Sequence, residues 1–209
     1  MRSLLIETHY IPCIAYFSLL LKFENVILEC HENFIKQSYR NRCYINTSHG
    51  TEVLTVPLTS KHGKVAITEV RIDYNQKWLN NHWRTIQSAY GKAPFFEFYA
   101  DELHDVLFYK YDFLYELNRT MLSLCLKWLK QPLEIEESMS YEVEPLAGIT
   151  DHRNAINAKN NEGSNKYYKP VTYNQVFGNK FVNNLSLIDL IFCAGPQAKQ
   201  IVQASAVEW

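Results

Sequence analysis

Four groups of residues in this chain carry side chains able to do chemistry. The first lies in Arg71–Phe96, where Leu79, Trp83, Ile86 and Tyr90 repeat at helical spacing. One column over run Trp78, His82, Thr85 and Ala89, so an imidazole and a hydroxyl share a core-facing surface. An imidazole titrates near neutral pH, which suits a general base. The plainer alternative is a core histidine whose nitrogens are both hydrogen-bonded, because a buried polar group needs partners. The second group is Lys36–Arg42, KQSYRNR, which interleaves Lys36, Arg40 and Arg42 with Tyr39 and Asn41. Guanidinium forks hold phosphates and carboxylates at two points, although a charge run of this kind is also an ordinary solvated face. The third group is Glu7, Thr8, His9 and Tyr10, with Glu29, Cys30 and His31 in an equivalent place further on. The fourth is Asp189, a carboxylate inside the apolar run LSLIDLIFC. A buried carboxylate needs a cation or several donors. Lys36, Arg40, Arg42 and Arg153 are the natural candidates.

Positioning these groups requires a set of strands and helices. Ser3–Glu7 reads as a buried strand, Ile14–Phe23 as a buried helix and Asn25–Glu29 as a second strand. That order is a βαβ-like start. Ligands of open α/β sheets gather past the carboxyl ends of the strands, which is where Glu7–Tyr10 and Glu29–His31 fall. Thr51–Pro57 and Val65–Ile72 are β-branched runs around a polar turn and predict a hairpin or two neighbouring strands. The helix bearing His82 opens after the polar turn Asp73–Asn75 and stops at Gly91, with Pro94 beyond. Phe95–Tyr99 and Asp101–Phe108 suggest a short helical segment, and Asp112–Leu129 a long one ended by Pro132. Leu133–Glu136 is a candidate edge strand. Ala147–Asn165 is polar and predicts a long loop closing over a site, with Asp151, His152 and Arg153 in it. Leu185–Cys193 and Gln197–Val207 read as terminal helices. The fold expected is α+β or α/β: one mixed small sheet, several packed helices and a helical C-terminal half. A single domain over residues 1–209 is expected, with a sub-boundary near 145–166 as the one place to divide it.

Composition narrows the function classes. A chain of 209 residues can bury a substantial core. Its net charge of −1 lacks the basic excess of a general nucleic-acid binder. Five cysteines, an odd number with no CxxC spacing, predict free thiols in a reducing compartment and neither a disulfide framework nor a zinc site. No apolar run approaches a membrane span, and the N-terminus lacks signal-peptide form, so a cytoplasmic protein is expected. The 14 tyrosines suit the walls of a wet pocket. GxGxxG, P-loop, HExxH and GxSxG motifs are missing, and no cofactor or metal is implied.

Several spacings, in order along most of the chain, resemble the WbqC-like family of bacterial proteins. They are Tyr10–Ile11–Pro12 with Tyr16–Phe17; Lys36, Tyr39, Asn41 and Arg42; and Thr55–Val56–Pro57. The block Ile72, Asp73, Trp78, His82, Thr85, Ile86, Tyr90, Ala93, Pro94, Phe95 and Phe96 comes next, then Asn184–Phe192 with Gly195–Pro196. The chain is similar to the shorter branch of Bacteroidota-like bacteria. It departs where many members have Gln-Pro before the Tyr block, which here reads Glu7–Thr8, and where they have Trp and Gly after its Pro, here Cys13 and Ala15. The resemblance implies a place in O-antigen or other surface-polysaccharide biosynthesis, with a glycine (aminoacyl) transferase role suggested for the group.

Added to the polar, partly basic pocket these residues suggest, the resemblance implies an aminoacyl- or acyl-transferase acting on an amino sugar or its nucleotide-linked precursor. His82 would be the base; Lys36, Arg40 and Arg42 would hold a phosphate or carboxylate; Tyr10, Tyr39 and Tyr90 would contact the sugar. His9, Asn41, Thr85 and Asp189 complete the expected substrate-binding set. The alternative is a non-catalytic binding or assembly protein of envelope biogenesis. Both expect His82, residues 36–42 and Asp189 to converge on one water-accessible cleft.

Overall fold

The opening βαβ unit forms where the apolar runs place it. A computed structural model describes residues 3–59, 63–158 and 166–207. Strand β1 (Ser3–Ile6) leads through helix α1 (Ile14–Leu20) to β2 (Asn25–Leu28), paired parallel to β1 from Ser3↔Asn25 to Ile6↔Leu28. All seven residues of α1 are buried, as expected of a crossover helix apolar on every side. Two more parallel strands complete the sheet. Strand β5 (Glu134–Glu137) pairs with β2, and β6 (Ile149–Asp151) pairs with β1, giving the order β5-β2-β1-β6. The edge strand at Leu133–Glu136 is therefore present. Part of the expected loop Ala147–Asn165 is the opposite edge strand instead; positions 159–165 of it lie outside the described residues.

The antiparallel pairing is kept in a separate ribbon. Strand β3 (Arg42–Thr47) pairs with β4 (Gly50–Thr55), from Arg42↔Thr55 to Thr47↔Gly50. Gly50 has φ +100°, a turn conformation that favours glycine. This corrects the hairpin expected between Thr51–Pro57 and Val65–Ile72. In the latter run Ile67, Val70 and Ile72 are the buried positions, a spacing that does not alternate. A 3-10 turn at Ile67–Glu69 satisfies it, leaving one Leu58↔Ile72 bridge to the earlier run. Cys43 and Ile45 of β3 do alternate with half-buried Arg42 and Tyr44, and so fit a ribbon with one covered face.

Helices dominate the chain beyond this ribbon. The His82 helix, α2, spans Trp78–Tyr90. Its N-cap is Lys77, while Asp73 accepts the Asn75 N–H at 2.9 Å and shapes the turn one step earlier. The segment after Pro94 is one helix of 13 residues, α3 (Phe96–Phe108), and α4 (Leu114–Trp128) buries the stripe expected of it. Helices α5 (Leu187–Ala194) and α6 (Ala198–Ala204) close the chain around the 3-10 turn Gly195–Gln197. At Gly195 a Cβ would stand 2.5 Å from the Phe95 ring, so only glycine lets that ring lie on the backbone. The Phe95 N–H bonds the Phe192 carbonyl at 3.0 Å and ties the same corner together. One continuous apolar cluster runs from Leu4 to Val202. The fold class is thus the one expected: a small sheet system of parallel and antiparallel strands, packed helices, and a helical C-terminal half.

Candidate functional site

The groups expected to converge are held apart in three places. His82 is the clearest correction. Its residue is 5% exposed, in the packing between α2 and the first loop. The Tyr10 hydroxyl donates to its Nδ1 at 2.9 Å, and the Thr55 backbone takes up the other side of the ring. The Trp78 ring stands edge-on at 5.0 Å. Burial pushes the imidazole down to about 4, against a partial upward pull from the Thr55 bond. A ring so lowered and engaged on both sides packs as a core histidine does. Thr85 faces elsewhere: its hydroxyl back-bonds to the Asn81 carbonyl at 2.9 Å, beside a shallow surface depression shared with His49 and Glu52.

Among the described residues no cation stands beside Asp189, contrary to expectation. Tyr90 donates to its Oδ2 at 2.8 Å, and Tyr173 and Gln175 donate to Oδ1 at 2.6 and 3.2 Å. Burial raises the carboxyl above its usual range, with the three donors opposing. Tyr90 also accepts the Asn46 N–H at 3.2 Å. This network fastens the irregular segment around Tyr173–Val182 to α5, since Gln175 also bonds the Val182 backbone in both directions. Its donors replace the missing cation.

The Lys36–Arg42 block is divided. Arg40 turns inward and is 2% exposed; its Nε bonds Glu32 Oε1 at 2.6 Å and its Nη2 bonds Oε2, a two-point pair. Tyr39 is also buried, stacked on the His9 ring at 5.1 Å. Lys36, Asn41 and Arg42 instead line an open cleft of about 480 Å³. Gln37, Gln76 and Arg71 add to its polar lining, and Phe34, Val56, Leu58, Val65 and Val70 to its apolar lining. The described lining includes three cations and no carboxylate. Among the described residues Arg42 Nε and Asn41 Oδ1 are buried without a partner, although Asn41 Nδ2 donates to the Val56 carbonyl at 3.0 Å. Arg71 rests over the Phe113 ring at 4.5 Å and meets Asp112 only loosely, at 3.9 Å with both side chains exposed. Sequence reasoning missed Arg71. Its one signal was a cation closing a β-branched run, Val65–Ile72, that returns to the level of Arg42.

A second polar cluster occupies the carboxyl ends of the parallel strands. Glu7, just past β1, accepts His9 Nε2 at 3.0 Å and the Asn154 N–H at 2.8 Å. Burial works to raise the Glu7 carboxyl, but the His9 bond, the Arg40 charge and the Asn154 N–H hold it below its usual range. Burial outweighs Glu7 at His9 and holds that imidazole below its usual range. Glu29, past β2, is bonded by Arg153 at 2.9 Å and by Ser138 at 2.8 Å. Arg153 also grips Asp151 at 2.7 and 3.0 Å and the Glu142 carbonyl at 2.8 Å. The segment Asp151–Asn154 therefore lies across the strand ends. Glu32 and Asn154, both integral to this cluster, have no sequence signal of their own beyond residue type.

Among the described residues no helix is long and apolar enough to cross a membrane. No group of three or more His, Cys, Asp or Glu there is placed to hold a metal ion. The five cysteines are free thiols.

Fold and site together define a small parallel α/β protein with a helical C-terminal half and a basic surface cleft. The WbqC-like protein family matches residues 8–201, and the chain belongs to that family. It is similar to the uncharacterized protein Rv1507c of Mycobacterium tuberculosis, at 28% identity over 93% of this chain and 94% of that protein. No solved structure matches.

Proposed function

We propose that the protein binds a phosphate- or carboxylate-bearing sugar derivative, such as a nucleotide sugar, in the cleft lined by Lys36, Arg42 and Arg71. One observation carries this: an open cavity of about 480 Å³ whose described lining includes three cations and no carboxylate, together with several apolar side chains. Cations match a phosphate, and the amides of Gln37 and Gln76 and the hydroxyls of Thr55 and Thr59 in the lining offer donors and acceptors for a sugar hydroxyl. The apolar side chains suit the carbon face of a sugar or a base. The transfer of an aminoacyl (glycine) or acyl group to an amino sugar in O-antigen-like, surface-polysaccharide biosynthesis, in the cytoplasm, is the reaction the family resemblance implies for such a ligand.

A second reading has its own support. The described lining supplies cations, amides and one hydroxyl-bearing pair, Thr55 and Thr59, while the one histidine expected to act there is engaged in the core. That chemistry holds a ligand, which fits a non-catalytic binding or assembly protein of envelope biogenesis. Thermal-shift measurement against nucleotide sugars, acyl-CoA and aminoacyl donors tests both. Binding followed by a mass increase on the sugar supports transfer. Binding with no transferred mass supports the second reading, and binding of none of the anionic compounds refutes both.

A further inference from the structure

The chain reverses its direction across the sheet at β1: β2 lies on one side of it and β6 on the other. Open parallel sheets take up ligands in the crevice at such a reversal. None of the residues gathered there lines the Lys36–Arg42 cleft. They hold more acids than cations. Glu7 and Glu32 are two carboxyl groups and Arg40 is one guanidinium, while burial works against a charge on the His9 imidazole beside them; all four residues are at most 4% exposed. Two buried acids therefore face one permanent cation. The adjoining group offers no relief, since Glu29 and Asp151 likewise set two carboxylates against the single guanidinium of Arg153. Burying an uncompensated charge is costly.

The residue that meets this group is a neutral one from the surface. Asn154 is exposed and sits at φ +62°. Its N–H donates to Glu7 Oε2 at 2.8 Å, and its Oδ1 accepts from Arg40 Nη2 at 3.0 Å. It thus places one donor on a buried carboxylate and one acceptor on a buried guanidinium. His9 Nδ1 is a further buried acceptor, without a partner among the described residues.

We propose that Glu7 and Arg40 form a second binding site, for a cationic amine that carries a neutral oxygen a few bonds away, and that Asn154 occupies this site until such a ligand displaces it. The ammonium replaces the Asn154 N–H on Glu7 and supplies a second positive charge. The neutral oxygen, a carbonyl or a hydroxyl, replaces Oδ1 on Arg40. A zwitterion would bring the amine but add back a negative charge, and a neutral amide would bring no charge at all.

The test uses the full chain with two amine probes, glycinamide for the carbonyl form and glucosamine for the hydroxyl form. Glycine and N-acetylglucosamine are the zwitterionic and neutral controls. At least one amine probe at millimolar concentration should raise the Tm, and do so more strongly in Asn154→Gly, which keeps the left-handed backbone but removes Oδ1. On binding, amide hydrogen exchange at Asn154 should speed up while the rest of the sheet is protected. Glu7→Gln should abolish the effect; if that variant does not fold, the exchange measurement on the unaltered chain still decides. The proposal is overturned if neither probe raises the Tm of either protein. It is also overturned if glycine or N-acetylglucosamine matches the amines, or if exchange at Asn154 does not change.

Discussion

Replacing His82 with glutamine separates a core histidine from a catalytic one, through the pH dependence of stability. In the folded chain burial brings the imidazole down to about 4, from an ordinary 6.5. Between those values the unfolded chain binds the proton and the folded chain does not. The stability involved is therefore whole above pH 6.5 and is lost progressively as pH falls towards 4. The full gap is worth about 3 kcal/mol, and at pH 5 about 2 kcal/mol of it has gone relative to pH 7. Glutamine cannot titrate, so His82→Gln lacks this loss. It carries instead a constant cost of about 1–3 kcal/mol, because Tyr10 and the Thr55 backbone lose well-placed partners. Urea denaturation of both proteins at pH 7 and pH 5 gives the four free energies needed. His9 and His152 are also held low by burial, but they are present in both proteins and cancel in the difference. The expected result is that the stability of wild type minus that of the variant falls by about 2 kcal/mol from pH 7 to pH 5, changing sign if the constant cost is below that. A gap that stays constant would mean that the imidazole titrates as it does in water, and the core assignment would fail.

Arg40 and Arg42 should behave in opposite ways despite lying two residues apart. Arg40→Ala strands the buried Glu32 carboxylate and should cost about 3–5 kcal/mol in chemical denaturation, whereas Arg42→Ala, on the cleft wall, should stay within about 1 kcal/mol of wild type. Asp189→Ala removes the acceptor of both Tyr90 and Tyr173 and should cost about 2–4 kcal/mol, with faster amide exchange over residues 173–182. Asp189→Asn, which keeps one acceptor oxygen, should cost less than the alanine variant by the same measurement.

The parts of the fold that were legible in the sequence are those where one signal dominates. The apolar runs Ser3–Ile6, Ile14–Leu20 and Asn25–Leu28 leave little choice but a buried βαβ unit, and the stripes of α2 and α4 are long enough to average out exceptions. Pairing was legible only where the alternation was strict. Val65–Ile72 has strand composition but helical-turn burial, so composition alone misassigned it. Strand β6 has three residues, fewer than any periodicity can reveal, and is fixed by its pairing with β1.

The site was harder to read because residue type says nothing of direction. Lys36, Asn41 and Arg42 reach the cleft; Arg40, in the same block, is turned inward by Glu32, a partner eight residues away that no motif announces. His82 sits on the core-facing side of an amphipathic helix, and that position is compatible with a pocket or with packing. What decides it is Tyr10, 72 residues earlier, whose hydroxyl reaches Nδ1. Asp189 was expected to need a cation, but two phenols and an amide from an irregular segment do the same work.

The most direct measurement is calorimetric titration of a nucleotide sugar into the wild-type chain, Arg42→Ala and Lys36→Ala, each at low and high salt. Losing a hydrogen bond to a charged group is worth about 1.5–3 kcal/mol, so each variant should bind about tenfold more weakly or worse, and the wild-type affinity should fall as salt rises. Equal affinity in all three proteins, or binding indifferent to salt, would contradict a ligand site in the cleft of Lys36, Arg42 and Arg71.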